Sequence, residues 1–108
     1  MNNHISILLE FFYKLSEELK NKNIIENINI KNINVDYFSK SKKGDVSSNF
    51  YLIIQKKIIN KNFNLKKLII EKIKAIEFID NVKISDKGFI NIFLDKVYIV
   101  NSLKNILT

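Results

Sequence analysis

A chain of 108 residues with 46% hydrophobic content has the size of one domain and can bury roughly two-thirds of its unfolded surface. It contains no cysteine, which excludes a disulfide framework and a thiolate metal site and agrees with a reducing compartment. Its net charge is +7, and all 18 basic residues are lysine. Such a balance favours nucleic acid or an anionic membrane as partner. The crowding of Ile, Asn and Lys fits the bias of an AT-rich genome equally well, and arginine, the residue for bidentate phosphate contacts, is absent. Met1-Asn2-Asn3-His4 lacks the positive start and cleavage site of a signal peptide, and no apolar run approaches the length of a membrane span.

Along the chain, Ile5, Leu8, Phe12, Leu15 and Leu19 recur at steps of three and four, which predicts an amphipathic helix over about residues 3–20. Asn21-Lys22-Asn23 ends it. Residues 27–38 interleave Ile28, Ile30, Ile33 and Val35 with Asn and Lys, the pattern of one or two short strands. Residues 39–49 form the longest polar stretch and read as a turn region, with Ser47 or Ser48 capping a helix that runs to about Asn60 and buries Tyr51, Ile54 and Ile58. Asn62 or Asn64 caps the next helix, with Leu65, Leu68, Ile69, Ile73 and Ile76 inward and Lys66, Lys67, Lys72 and Lys74 outward. Val82 and Ile84 alternate with Lys83 and Ser85 in a strand, Asp86-Lys87-Gly88 makes a turn, and Ile90, Ile92 and Leu94 share one face of a second strand. Phe89, Asn91 and Phe93 share its other face. Asp95 caps a final helix through Val97, Val100, Leu103 and Leu107. The order predicts an α+β fold: a two-layer domain with a small antiparallel sheet of about four strands and helices packed on one face, leaving the other face to solvent or a partner.

Catalytic chemistry is hard to place on this sequence. His4 is the only histidine and has no nearby group to orient it, so it reads as solvated. Glu17 and Glu18 read as a solvated pair, no spacing suggests a metal site, and the Gly44 string lacks the Lys-Ser/Thr ending of a phosphate-binding loop.

Two features point to binding instead. Lys40, Lys42 and Lys43 beside Gly44 form the sharpest basic cluster, either a solvated loop or a phosphate contact. Phe89 and Asn91 form either part of a second packed sheet face, against Phe38 or the last helix, or a platform on which an unpaired base stacks while an amide bonds its edge. Phe93 lies farther along and suits plain packing better.

The two glycines each open a distinctive string, Gly44-Asp45-Val46-Ser47-Ser48-Asn49 and Gly88-Phe89-Ile90-Asn91-Ile92-Phe93-Leu94. This ordered pair, at its spacing, resembles the N-terminal additional domain of arginyl-tRNA synthetases, and the likeness extends from the first helix to about Leu107. Val46 stands where the family commonly has an aromatic, and Lys87 where a proline is common. The resemblance implies a non-catalytic module that docks on the elbow of arginine-accepting tRNA near the D-loop. It implies that Phe89 stacks on a D-loop base or ribose, that Asn91 hydrogen-bonds it, and that Asp86 is a turn contact. It gives Gly44, Asp45, Asn49 and Gly88 structural roles. The expected partners are tRNA and the catalytic domain of a parent synthetase, with no membrane, in the cytoplasm. No cofactor is expected in this chain, since the ATP signature of the family belongs to the catalytic domain and does not occur here. By itself the chain should neither bind ATP nor activate arginine, whether it is a fragment or a stand-alone relative. A structural or protein-interaction module of the same fold, without RNA contact, is the alternative reading.

Overall fold

The computed structural model describes residues 3–38 and 44–95. The final helix expected after Asp95 and the cluster Lys40, Lys42 and Lys43 fall outside the described residues.

Helix α1, Asn3–Asn21, follows the apolar stripe, with Leu8, Phe12, Leu15 and Leu19 buried and Ile5 half-buried. The chain turns away from it at Asn23, whose φ of 58° is in the left-handed region. The amide of Asn23 donates to the Lys20 carbonyl and that of Ile24 to the Leu19 carbonyl, which satisfies two carbonyls of the last turn. Glu18 faces Lys22 at 3.0 Å and Lys72 at 3.9 Å. The hydrogen bond from Lys22, with the charge of both lysines, holds the Glu18 carboxyl below its ordinary pKa. The contact is therefore present above the ordinary carboxylate pKa and is lost as pH falls through the lowered folded value. Its groups are partly exposed, so its contribution is small.

The sheet has the order β1-β2-β4-β3, antiparallel throughout: β1 Val35–Tyr37, β2 Val46–Ser48, β3 Ile79–Ile84 and β4 Ile90–Leu94. Ile92 pairs with Val46 on one side and Val82 on the other, and Ile90 with Ser48 and Ile84. These rows face α1 and the two later helices, α2 (Phe50–Gln55) and α3 (Leu65–Lys74), and close one core in which Phe12, Phe50, Ile69, Ile73 and Ile92 are fully buried. The fold is the predicted α+β class.

Its elements differ from the sequence pattern in three places. Within residues 27–38 only Val35–Tyr37 is a strand; Ile30–Asn32 is a single 3-10 turn, and Ile30 is exposed. The strand missing from that count is β2, inside the stretch that reads as a turn region. Ser47 and Ser48 are thus ladder residues, although the Ser48 hydroxyl does accept from the Phe50 amide at 3.1 Å. A strand of three residues with two serines has too few alternations to show its period. Helix α2 stops at Gln55 instead of continuing to Asn60. The chain beyond it is drawn out to pair with the segment after α1: Glu26 donates to the Lys57 carbonyl and Ile59 to the Ile24 carbonyl, around an Ile25–Ile58 bridge. Tyr51 and Ile58 are consequently only half-buried, and Phe50 takes the core position. For α3 the cap is Asn64, whose side chain accepts from the Lys67 amide at 3.1 Å.

His4 is not a freely solvated residue. It is half-buried, its ring edge-on to Phe78 with centroids 4.9 Å apart.

Candidate nucleic-acid interface

The hairpin that carries the site is built by Ser85. Its carbonyl accepts from the Gly88 amide at 2.9 Å, its amide donates to the Phe89 carbonyl at 2.8 Å, and its hydroxyl accepts from the Phe89 amide at 3.1 Å. Asp86, Lys87 and Gly88 therefore form a three-residue loop, a tight turn closed by a glycine in the left-handed region. Gly88 has φ of 97°, and a Cβ there would stand 3.2 Å from Leu52 Cδ1. This geometry fixes where Phe89 leaves the turn.

The strand pairing then assembles the outer sheet face. Asn91 pairs with Ser47 and Lys83, and Ser47 with Asp36, so these four form one row across the sheet. An open cleft of about 490 Å³ lies on this face, within the ~300–1,000 Å³ usual for small-molecule sites. Asp86, Lys87 and Phe89 line it from the hairpin, Asn91 from β4, and Phe38, Ser47 and Ser85 complete it. Phe89 is 40% exposed, whereas Asn91 is 9% exposed. Among the described residues no buried side-chain nitrogen or oxygen lacks a partner, so the Asn91 amide, which hydrogen-bonds none of them, is open to the solvent of the cleft. Phe93 does not line the cleft; it is half-buried, with Lys83 Nζ 5.9 Å from its ring centroid.

The first glycine string braces the cleft from behind. Gly44 has φ of 153°, and a Cβ on it would approach the Ile92 carbonyl oxygen to 3.1 Å, so β4 can lie directly against it. Asp45 donates its amide to the Ile92 carbonyl at 2.8 Å and accepts the Leu94 amide on Oδ2 at 2.8 Å. Asn49 makes no side-chain cap for α2. It accepts from the Asn34 amide at 2.8 Å and donates to the Asn32 carbonyl at 2.9 Å, tying the entry to β1 onto the exit from β2. Asp45→Ala removes a charge-assisted bond from a half-buried site and should cost about 1–2 kcal/mol of stability, read from denaturant unfolding. An unchanged midpoint would show that β2 and β4 stay paired without it.

The structure thus brings Asp86, Phe89 and Asn91 together and adds three residues that the sequence does not mark for this site, Ser47, Ser85 and Lys87. Phe38, read there as a packing partner for this face, lines the same cleft. The one local signal for Ser47 is its place between Val46 and Ser48, whose side chains point to the opposite face. Among the described residues no group of His, Asp or Glu side chains could hold a metal ion, and no helix is long and apolar enough to cross a membrane.

Residues 12–94 match the family described as the arginyl tRNA synthetase N terminal domain. The chain belongs to this family. It is 31% identical over its whole length to an arginine–tRNA ligase of Shewanella frigidimarina, of which it covers 18%. It is 30% identical over 104 residues to the arginine–tRNA ligases of Shewanella sp. strain ANA-3 and Shewanella oneidensis, 96% of this chain and 17% of each relative. The chain therefore spans less than a fifth of the curated relatives it matches. The family match covers every element that shapes the cleft, from the middle of α1 to the last residue of β4.

Proposed function

We propose that this domain binds tRNA without catalysing a reaction, seating an unpaired nucleotide of the tRNA elbow, in the D-loop, in the outer-face cleft. It thereby supports arginine attachment by the catalytic domain of a synthetase. The observation that carries this reading is the convergence of an exposed aromatic residue, Phe89, and the open amide of Asn91 in one cleft. A base offers a π-face to the ring and donor–acceptor edges to the amide. Ser47 and Ser85 add hydroxyls that suit a ribose, and Asp86 and Lys87 stand at the turn, where a looped strand enters. The family membership supports the same assignment, since the full-length relatives are arginine–tRNA ligases. Adenylation of arginine, with its ATP, belongs in this scheme to the catalytic domain, and the cytoplasm is the setting it implies.

Amide chemical-shift mapping during titration with an arginine-accepting tRNA transcript tests the reading. The largest shifts should fall on Asp86, Phe89 and Asn91 and on Ser47 across the ladder. Shifts confined to other surfaces would remove the cleft from the interface, and no shift at low salt would favour a module that keeps the fold without RNA contact.

A further inference from the structure

A second groove lies on the other side of the Gly88 turn. Tyr51, Gln55 and Ile58 of the α2 region, Lys61 and Phe63 of the approach to α3 and Lys66 of its first turn surround about 260 Å³. Gln55 links it to the first cleft: its Nε2 stands 3.5 Å from where a Cβ on Gly88 would be, and the neighbours of Gly88, Lys87 and Phe89, line that cleft.

Its charge is not that of the chain at large. Residues 56–67 hold five lysines, Lys56, Lys57, Lys61, Lys66 and Lys67, and no carboxylate. All five are exposed, and none forms an ion pair among the described residues. Helix α1 shows what the same composition gives elsewhere: Lys14 and Lys20 are set among Glu10, Glu17 and Glu18, and Lys14 is spent on Glu10 at 3.3 Å. A uniform compositional bias raises lysine everywhere; it does not by itself clear a stretch of twelve residues of carboxylates. Within the groove Lys66 Nζ lies 5.6 Å from the Tyr51 ring centroid, which steadies the ammonium at its wall. The Tyr51 and Phe63 rings give the wall an apolar surface beside the cations. Ammonium groups are compact point charges suited to phosphate oxygens.

We infer that this groove is a second RNA contact, in which Lys61 and Lys66 at its wall, with the exposed Lys67 next to Lys66 on α3, follow the phosphates of the strand adjoining the nucleotide held in the first cleft. The inference rests on the tRNA reading above. It divides the work across the Gly88 turn: the sheet cleft takes a base, and the α2–α3 lysines take the backbone.

The test is the salt dependence of binding to an arginine-accepting tRNA transcript for the 108-residue chain, for Phe89→Ala, and for a variant with Lys61→Gln, Lys66→Gln and Lys67→Gln. A control with Lys14→Gln, Lys20→Gln and Lys31→Gln removes the same charge elsewhere. Each lost phosphate contact lowers the slope of log affinity against log salt by roughly 0.7–0.9, so the groove variant should lose about 2 units of slope. It should also bind at least tenfold more weakly at low salt, with an unchanged thermal melt. Phe89→Ala should weaken binding at every salt concentration and keep the slope. An unchanged slope in the groove variant, or an equal loss in the control, overturns the inference and leaves the cleft reading standing if Phe89→Ala still loses affinity. Normal binding by Phe89→Ala beside a lost slope in the groove variant does the reverse. No binding by the parent chain overturns both.

Discussion

Phe89→Ala should weaken binding to an arginine-accepting tRNA by about 1–3 kcal/mol, roughly 5- to 150-fold, at fixed salt and with little change in stability. The expectation rests on how the residue is held. Its backbone amide and carbonyl both bond Ser85, and alanine keeps both bonds. Its ring is 40% exposed and lines the cleft beside Asn91, so truncation takes a stacking surface from the ligand and little from the core. Exposed substitutions of this kind usually change stability by no more than about 0.5 kcal/mol. Fluorescence anisotropy with a labelled transcript measures the loss, and Phe89→Tyr, which keeps the ring, should restore most of it. If Phe89→Ala unfolds the chain, or binds as tightly as the parent while folded, Phe89 is not a stacking platform.

The largest expected effect on stability is that of Phe12→Ala, about 3–5 kcal/mol. Phe12 is fully buried at the middle of α1, stacked on Phe50 with centroids 4.5 Å apart and an interplanar angle of 23°, and edge-on to Phe11 at 5.4 Å. Phe50 begins α2 directly after β2, so this pair of rings is where the first helix, the sheet and the second helix meet. Removing one ring loses its transfer free energy, its stacking and the packing around the cavity it leaves. A domain with a total stability of some 5–15 kcal/mol loses a large share of it. The melting temperature followed by circular dichroism should fall by more than about 10 °C, and Phe12→Leu should fall less. A loss below about 1 kcal/mol would mean that the core closes around the gap or is held mainly elsewhere.

The two results separate the faces of the sheet. Phe12 acts on the packed face and changes RNA binding only through the folded fraction. Phe89 lies on the outer face, and its truncation should change binding among molecules that are folded. The alternation in β4 makes the separation possible: Ile90, Ile92 and Leu94 are committed to the core, which leaves Phe89 and Asn91 free of that duty.

The residues that could be read without a structure are those whose signal is local and repeated. Leu8, Phe12, Leu15 and Leu19 mark α1 because three successive steps of three or four residues stay on one face, and Leu65, Ile69 and Ile73 mark α3 likewise. The β3–β4 hairpin is legible because alternating apolar residues flank a glycine turn. From these came the α+β class, the turn at Asp86-Lys87-Gly88 and the pairing of Phe89 with Asn91 on one face. The two glycine strings pointed to the family.

Local runs of the chain thus specify the strongly periodic elements and the hairpin arm that lines the cleft. Tertiary structure decided the rest, because the deciding partners lie far along the chain. Val46–Ser48 is a strand because β4, more than forty residues later, pairs with it and Asp45 bonds the Leu94 amide. Helix α2 ends early because the segment after α1 claims the backbone around Ile58. Ser47 and Phe38 enter the cleft through the same ladder, and Gln55 reaches Gly88 by packing alone. A period can be read within a few residues of chain; a hydrogen-bond partner supplied from elsewhere in the fold leaves no mark on the segment that receives it.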